Sequence, residues 1–162
     1  MRNLLILSFT SVCYFFISCH SEAGMSAATK KNKEVNDAIM KAYEAGEFDK
    51  MGDYIAADAV DHGGEKGDIK GVDSIVAQMK LYHLQMPDMK AGMTRSLADD
   101  EYVFTWSTSS GTFNGKKMEM TSVDVTRFKD GKAVEHWIYM DPKDMALMMA
   151  PPVIADSIIE LK

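Results

Sequence analysis

The sequence predicts an α+β domain, with helices on one face of a curved antiparallel sheet. Two observations carry this. Apolar residues recur at helical spacing up to Pro87, then at every second position from about residue 89 to 141. The turn signals that separate the later segments, Asn114-Gly115 and Lys129-Asp130-Gly131, are those of hairpins. Helices first and a meander afterwards is the α+β order.

The chain of 162 residues is sized for one domain with a real core. Its net charge of −6 comes without any basic run, which argues against nucleic acid as a partner. Arg2 is followed by the apolar run "LLILSFTSVCYFFIS" and then Cys19. A short basic region, an apolar stretch and a small residue at the cut point make a secretory signal over residues 1–18. Its apolar part is shorter than the roughly 20 residues a spanning helix needs. "FISC" resembles a bacterial lipoprotein cleavage box, so Cys19 is expected to carry lipid. The protein would then be exported and held at a membrane by that anchor alone, on the periplasmic or cell-surface side. Both cysteines, Cys13 and Cys19, lie in this segment, so the folded part has no disulfide, thiol nucleophile or cysteine metal site. Residues 19–33 are small, polar and charged, and read as a tether.

The domain is expected over residues 34–149. From about Glu34, Val35, Ala38, Ile39, Ala42 and Tyr43 form a helical stripe that Gly46 ends. A short second helix turns Phe48, Met51 and Ile55 inward. "ADAVDHGGEKGDIKG" reads as a loop with a short strand at residues 59–62. A third helix over about 72–86 carries Val72, Ile75, Val76, Met79 and Met86, and Pro87 stops it. Strands follow at about 89–98, 101–112, 116–128 and 132–141. A short helix from Pro142 to about Met149 closes the domain, and 150–162 is a C-terminal tail.

Turn geometry sets the register. A two-residue loop at Asn114-Gly115 pairs Phe113 with Lys116, Thr105 with Asp124 and Ser107 with Ser122. "KDG" suits a type I turn with Gly131 in the left-handed region and a bulge, a three-residue loop. It pairs Phe128 with Lys132, and so Asp124 with His136. One sheet face then carries Thr105, Ser107, Met118, Met120, Ser122, Asp124, Thr126, Phe128, Val134, His136, Ile138 and Met140. The other carries Phe104, Trp106, Val123, Val125, Trp137 and Tyr139. The first reads as a pocket lining under the helices. The second reads as a packing surface for a second copy of the chain.

"GEFDKMGDYIAADAVDH", "KGVDSIVAQM", "GTFNGKKMEM", "VDVTRFKDGKAVEHW" and "IYMD", in that order and spacing, resemble the SnoaL-like branch of the NTF2-like superfamily across roughly residues 34–149. The resemblance implies a cone: three N-terminal helices packed on a curved antiparallel sheet, a pocket between them, and frequent dimers through the sheet. Members include polyketide cyclases, ketosteroid isomerases and dehydratases, and others that only bind ligands. In the isomerases a "D-V-x-R-F" strand supplies an Asp that donates to a developing oxyanion, and Asp124 falls on it; that enzyme is a worked example of an Asp kept protonated by an apolar site. The isomerase tyrosine is replaced by Ile39, with Tyr43 one turn on. The isomerase base falls near "VDHGG", at Gly63 without a gap or His62 with a one-residue shift.

Asp124 and His136 are therefore the candidate acid–base pair, with His62 at the pocket mouth. Thr105, Ser107, Met118, Met120, Ser122, Ile138, Met140 and Tyr43 are candidate ligand contacts. No short-spaced ligand motif supports a metal, and nothing calls for a cofactor. Two functions follow. One is an exported, lipid-anchored domain that binds a small, moderately polar molecule. The other is an acid–base enzyme of isomerase, cyclase or dehydratase type using Asp124 and His136.

Overall fold

The computed structural model describes residues 24–64, 66–113 and 115–148. The signal segment, Cys19, the turn residue Asn114, Met149 and the tail 150–162 lie outside these described residues.

Helix α1 (Ala27–Glu44) begins seven residues before Glu34, the expected start, so residues 27–33 are helix and not tether. Its first turns bury polar side chains with partners. The Ser26 hydroxyl accepts from the Thr29 amide at 3.0 Å and caps the helix. The Ser26 and Thr29 hydroxyls both donate to the Asp100 carboxylate, which their hydrogen bonds hold below its ordinary pKa. The Asn32 amide donates to the Asp100 carbonyl at 3.0 Å. Gly46 takes a φ of 70° just past the C-terminus, where a side chain would be strained.

A 3-10 turn (Phe48–Lys50) leads into α2 (Met51–Tyr54). Ile55, expected on that helix, instead opens strand β1 (Ile55–Asp61), which is longer than the strand read at 59–62. Strand β2 (Ile69–Lys70) and helix α3 (Val72–Gln85) follow. The meander is β3 (Lys90–Ala98), β4 (Tyr102–Phe113), β5 (Lys116–Lys129) and β6 (Lys132–Met140), and α4 (Pro142–Met148) closes it.

The strand order is β2-β1-β6-β5-β4-β3. The sheet is mixed rather than wholly antiparallel, because β1 lies parallel to β6. The β4–β5 register is the expected one, with Phe113 opposite Lys116 and Thr105 opposite Asp124. The β5–β6 register is not. Asp130 and Gly131 both have positive φ, 52° and 74°, so the loop has two residues and pairs Lys129 with Lys132. Alone, that turn would exchange the two faces of β6. An extra residue, Val134, between Ala133 (opposite Phe128) and Glu135 (opposite Arg127) restores them. His136 then pairs with Thr126, and Asp124 with Ile138. Ala133 takes the inward place expected of Val134 and is buried.

The main core joins Val35 and Ala42 of α1, Met51, Ile55, Ala59, Ile75, Val103, Phe128 and Ala133. A second apolar cluster of Met86, Phe113 and Met120, with Met89 and Met118 beside it, fills the far end of the β4–β5 hairpin. The helices cover the face with Asp124 and His136. There Val103, Thr105, Ser107, Thr126 and Phe128 are buried. On the opposite face Phe104, Trp106 and Tyr139 are 43%, 51% and 61% exposed.

Candidate functional site

Three adjacent strands each bring one ionisable side chain to the helix-covered face. His136 stands at the centre, on β6. Its Nε2 lies 3.3 Å from Asp124 Oδ1 on β5, and its Nδ1 lies 3.1 Å from Asp61 Oδ1 on β1. Asp124 and His136 thus meet, as expected, but diagonally across the strands and not as a direct pair. Asp61 reaches His136 because the parallel β1–β6 register sets them side by side. Sequence reasoning missed Asp61, passing to His62 and Gly63. The signal was in the alternation of β1, where Ala59 is buried and Asp61 shares its face.

A ring with a carboxylate oxygen at each nitrogen satisfies both contacts only as the imidazolium, which has two N–H donors. Burial pulls the His136 pKa down. The hydrogen bonds and charges of Asp124 and Asp61 outweigh it, and raise the pKa from 6.5 to about 9. Burial likewise opposes ionisation of Asp61. The His136 hydrogen bond and charge, the Gly63 amide at 2.8 Å and the His62 charge prevail, holding Asp61 below its ordinary value. The second oxygen of Asp124 accepts from Ser122 at 2.9 Å and Ser107 at 3.4 Å, and the two hydroxyls lie 3.2 Å apart. The row is still reachable from solvent. The side chains of His136, Asp61 and Asp124 are 34%, 19% and 21% exposed.

Gly63 is small for a reason. A Cβ there would stand 2.9 Å from Ile138 Cγ2 and 3.1 Å from Asp61 Oδ1. The glycine lets its own amide reach the carboxylate and keeps Ile138 against the row.

Other expected site residues are placed differently. His62 is on the other side of the sheet. Its ring stacks on Trp137 at 4.8 Å and its Nδ1 pairs with Asp68 at 2.9 Å, so it does not join Asp124 and His136. Alternation explains this, since His62 follows the inward-facing Asp61. The Thr105 hydroxyl is buried and accepts from Asn36 of α1 at 3.2 Å, so it ties the helix to the sheet. Met118 and Met120 belong to the second apolar cluster and fill space there. Tyr43 packs edge-on against Phe48 and His83, and burial, then Tyr82, push its hydroxyl up to about 12. Ser107, Ser122, Ile138 and Met140 share the face and neighbourhood of the row.

Two open concavities of about 550 and 530 Å³ lie elsewhere, where the start of α1 meets the β3–β4 and β5–β6 turns. Neither is lined by Asp61, Asp124 or His136. Two of the polar groups at their walls are committed, Asp100 to Ser26 and Thr29, and Arg127 to Glu135 at 2.6 Å. The Asp61–His136–Asp124 row is the better candidate, because it gathers three ionisable side chains on the helix-covered face and leaves them partly open to solvent.

A sheet wrapped on one side by helices, with ionisable side chains on the covered face, defines an NTF2-like α+β domain. The family model of SnoaL-like polyketide cyclases matches residues 33–148, and the chain belongs to that family. Solved structures agree in fold. A loop-truncation variant of IdmH is 24% identical, with a TM-score of 0.63 over 74% of this chain and 99% of that one. An NTF2-like protein of unknown function from Burkholderia pseudomallei is 18% identical, with a TM-score of 0.67 over 75% and 98%. An LEH-like epoxide hydrolase from M. tuberculosis is 18% identical, with a TM-score of 0.64 over 74% and 90%. Among curated proteins none matches.

Proposed function

We propose that the domain binds a small, moderately polar molecule at the Asp61–His136–Asp124 row, in a protein exported and held to a membrane through lipid on Cys19. One observation carries the binding reading. Three ionisable side chains from three strands meet, both carboxyl groups against the one His136 ring, and all three stay partly exposed. Buried ion clusters are weak sources of stability, so an arrangement of this kind is better explained by what it can contact. The apolar run and "FISC" support export and anchoring. The exposed Phe104, Trp106 and Tyr139, with Trp137 beside them, support a homodimer through the outer face.

A second reading, an acid–base enzyme, is favoured by the charge state of His136. An imidazolium whose two N–H groups are both given to carboxylates is a poor base at neutral pH, and its part would be to hold and orient Asp61 and Asp124. Asp61 is then the stronger candidate base, since both oxygens of Asp124 already accept hydrogen bonds. The family's cyclases and the epoxide-hydrolase relative are consistent with this chemistry on this fold.

Titration of 15N-labelled protein with a panel of small hydroxy and keto compounds tests the binding reading. Amide shifts centred on Asp61, Gly63, Asp124 and His136 are expected. A panel that leaves those amides unmoved would sink it. Asp124→Asn then separates the two readings, because an enzyme loses turnover while a binder keeps most of its affinity.

A further inference from the structure

The hydrogen-bond capacity of the row is nearly all spent, and what remains is of one kind. Both ring N–H groups of His136 are given to Asp61 and Asp124. Asp124 Oδ1 takes His136, and its Oδ2 takes Ser122 and Ser107. Each serine has a single O–H, and their positions spend both on Asp124 or on each other. Asp61 Oδ1 takes His136 and the Gly63 amide. That leaves Asp61 Oδ2, which has no hydrogen-bond partner among the described residues, on a carboxylate that solvent can reach. No donor is left over to receive an anion. Two carboxylates around one imidazolium also leave the row with an excess negative charge.

From this we infer that the site selects molecules presenting a hydrogen-bond donor to Asp61, a hydroxyl or better a protonated amine, and turns away carboxylates and phosphates. The inference rests on the proposed binding site and adds the chemical class of its ligand. An alcohol gives its proton to Asp61 Oδ2 at ordinary hydrogen-bond distance. An ammonium does the same and neutralises the excess charge, which makes the stronger, charge-assisted bond. A ligand carboxylate sets two anionic oxygens against each other with no proton between them.

Three probes with one skeleton test this: cyclohexylamine, cyclohexanol and cyclohexanecarboxylate, titrated separately at neutral pH into 15N-labelled protein. The ammonium is expected to move the Gly63 and His136 amides at a concentration roughly tenfold lower than the carboxylate, one such factor being about one good interaction. The alcohol should fall between them. Asp61→Asn keeps the shape, removes the charge and supplies N–H donors, so the order of ammonium and carboxylate should invert. If the carboxylate binds the wild-type protein as well as the ammonium does, the inference is overturned while the binding site stands. If no probe moves these amides, both the inference and the binding site fail. The wild-type comparison decides the matter even if Asp61→Asn does not fold.

Discussion

Raising the pH should strip stability from this domain through a single side chain. The folded state holds the His136 proton up to about pH 9, while the unfolded chain releases it near 6.5. Between those values the folded state binds more protons, so stability is full below the window and is lost as pH climbs through it. At about 1.4 kcal/mol per pH unit, the gap sets an upper bound of about 3.5 kcal/mol. The ring is 34% exposed, so solvent screening cuts this to about 1–2 kcal/mol. For a domain of this size the change lowers Tm by roughly 5 °C. The assay is thermal and urea unfolding at both ends of the window, for the wild type and for His136→Gln. Contributions from the rest of the molecule are common to both proteins and cancel. The variant should be less stable than wild type at the lower pH and approach it at the higher. Parallel curves for the two proteins would refute the reasoning, as would an NMR titration placing the His136 proton at or below its ordinary pKa.

Other consequences follow from close contacts and from the surface. A Cβ on Gly64 would sit 2.2 Å from the Gly67 carbonyl, a backbone atom, whereas one on Gly111 would meet side-chain atoms, Met86 at 2.7 Å and Asp88 Oδ1 at 3.2 Å. Gly64→Ala is therefore expected to cost roughly 1–3 kcal/mol in urea unfolding, and Gly111→Ala distinctly less. Trp106→Glu, on the exposed outer face, should convert dimers to monomers in sedimentation and remove any dependence of Tm on protein concentration; a wild-type protein that is monomeric at micromolar concentration contradicts the dimer. Cys19→Ala should move the expressed protein from the membrane fraction to the soluble one, and an unchanged distribution argues against the anchor.

Much of the fold was legible because it is written in local signals. The Asn114-Gly115 turn fixed the β4–β5 register to the residue, and the period of two along β5 separated Asp124 from Val123 and Val125. The start of α1 was not legible from apolar spacing, because its first turns bury Thr29 and Asn32 against Asp100, a partner far along the chain. The second hairpin departs from its expected turn type. Lys129-Asp130-Gly131 reads as a three-residue loop, yet Asp-Gly is itself a strong two-residue signal when both residues accept positive φ, and that signal prevails. The bulge at Val134 then compensated, so the faces came out right while the cross-strand partners came out two residues off. Asp61 was hidden for a different reason. No turn joins β1 to β6, and a parallel pairing across 75 positions leaves no mark in local sequence.

That pairing of a short loop with an extra residue has a consequence for how the chain can change. Each device alone moves the strand by a half-step that turns it inside out; together they restore its reading frame. Losing Val134, or gaining one residue between Arg127 and Glu135, would send His136 to the outer surface and carry Trp137 under the helices. The second hairpin can therefore change length by even counts or by compensated pairs, while a single-residue indel there would dismantle the ionised row without altering one of its side chains.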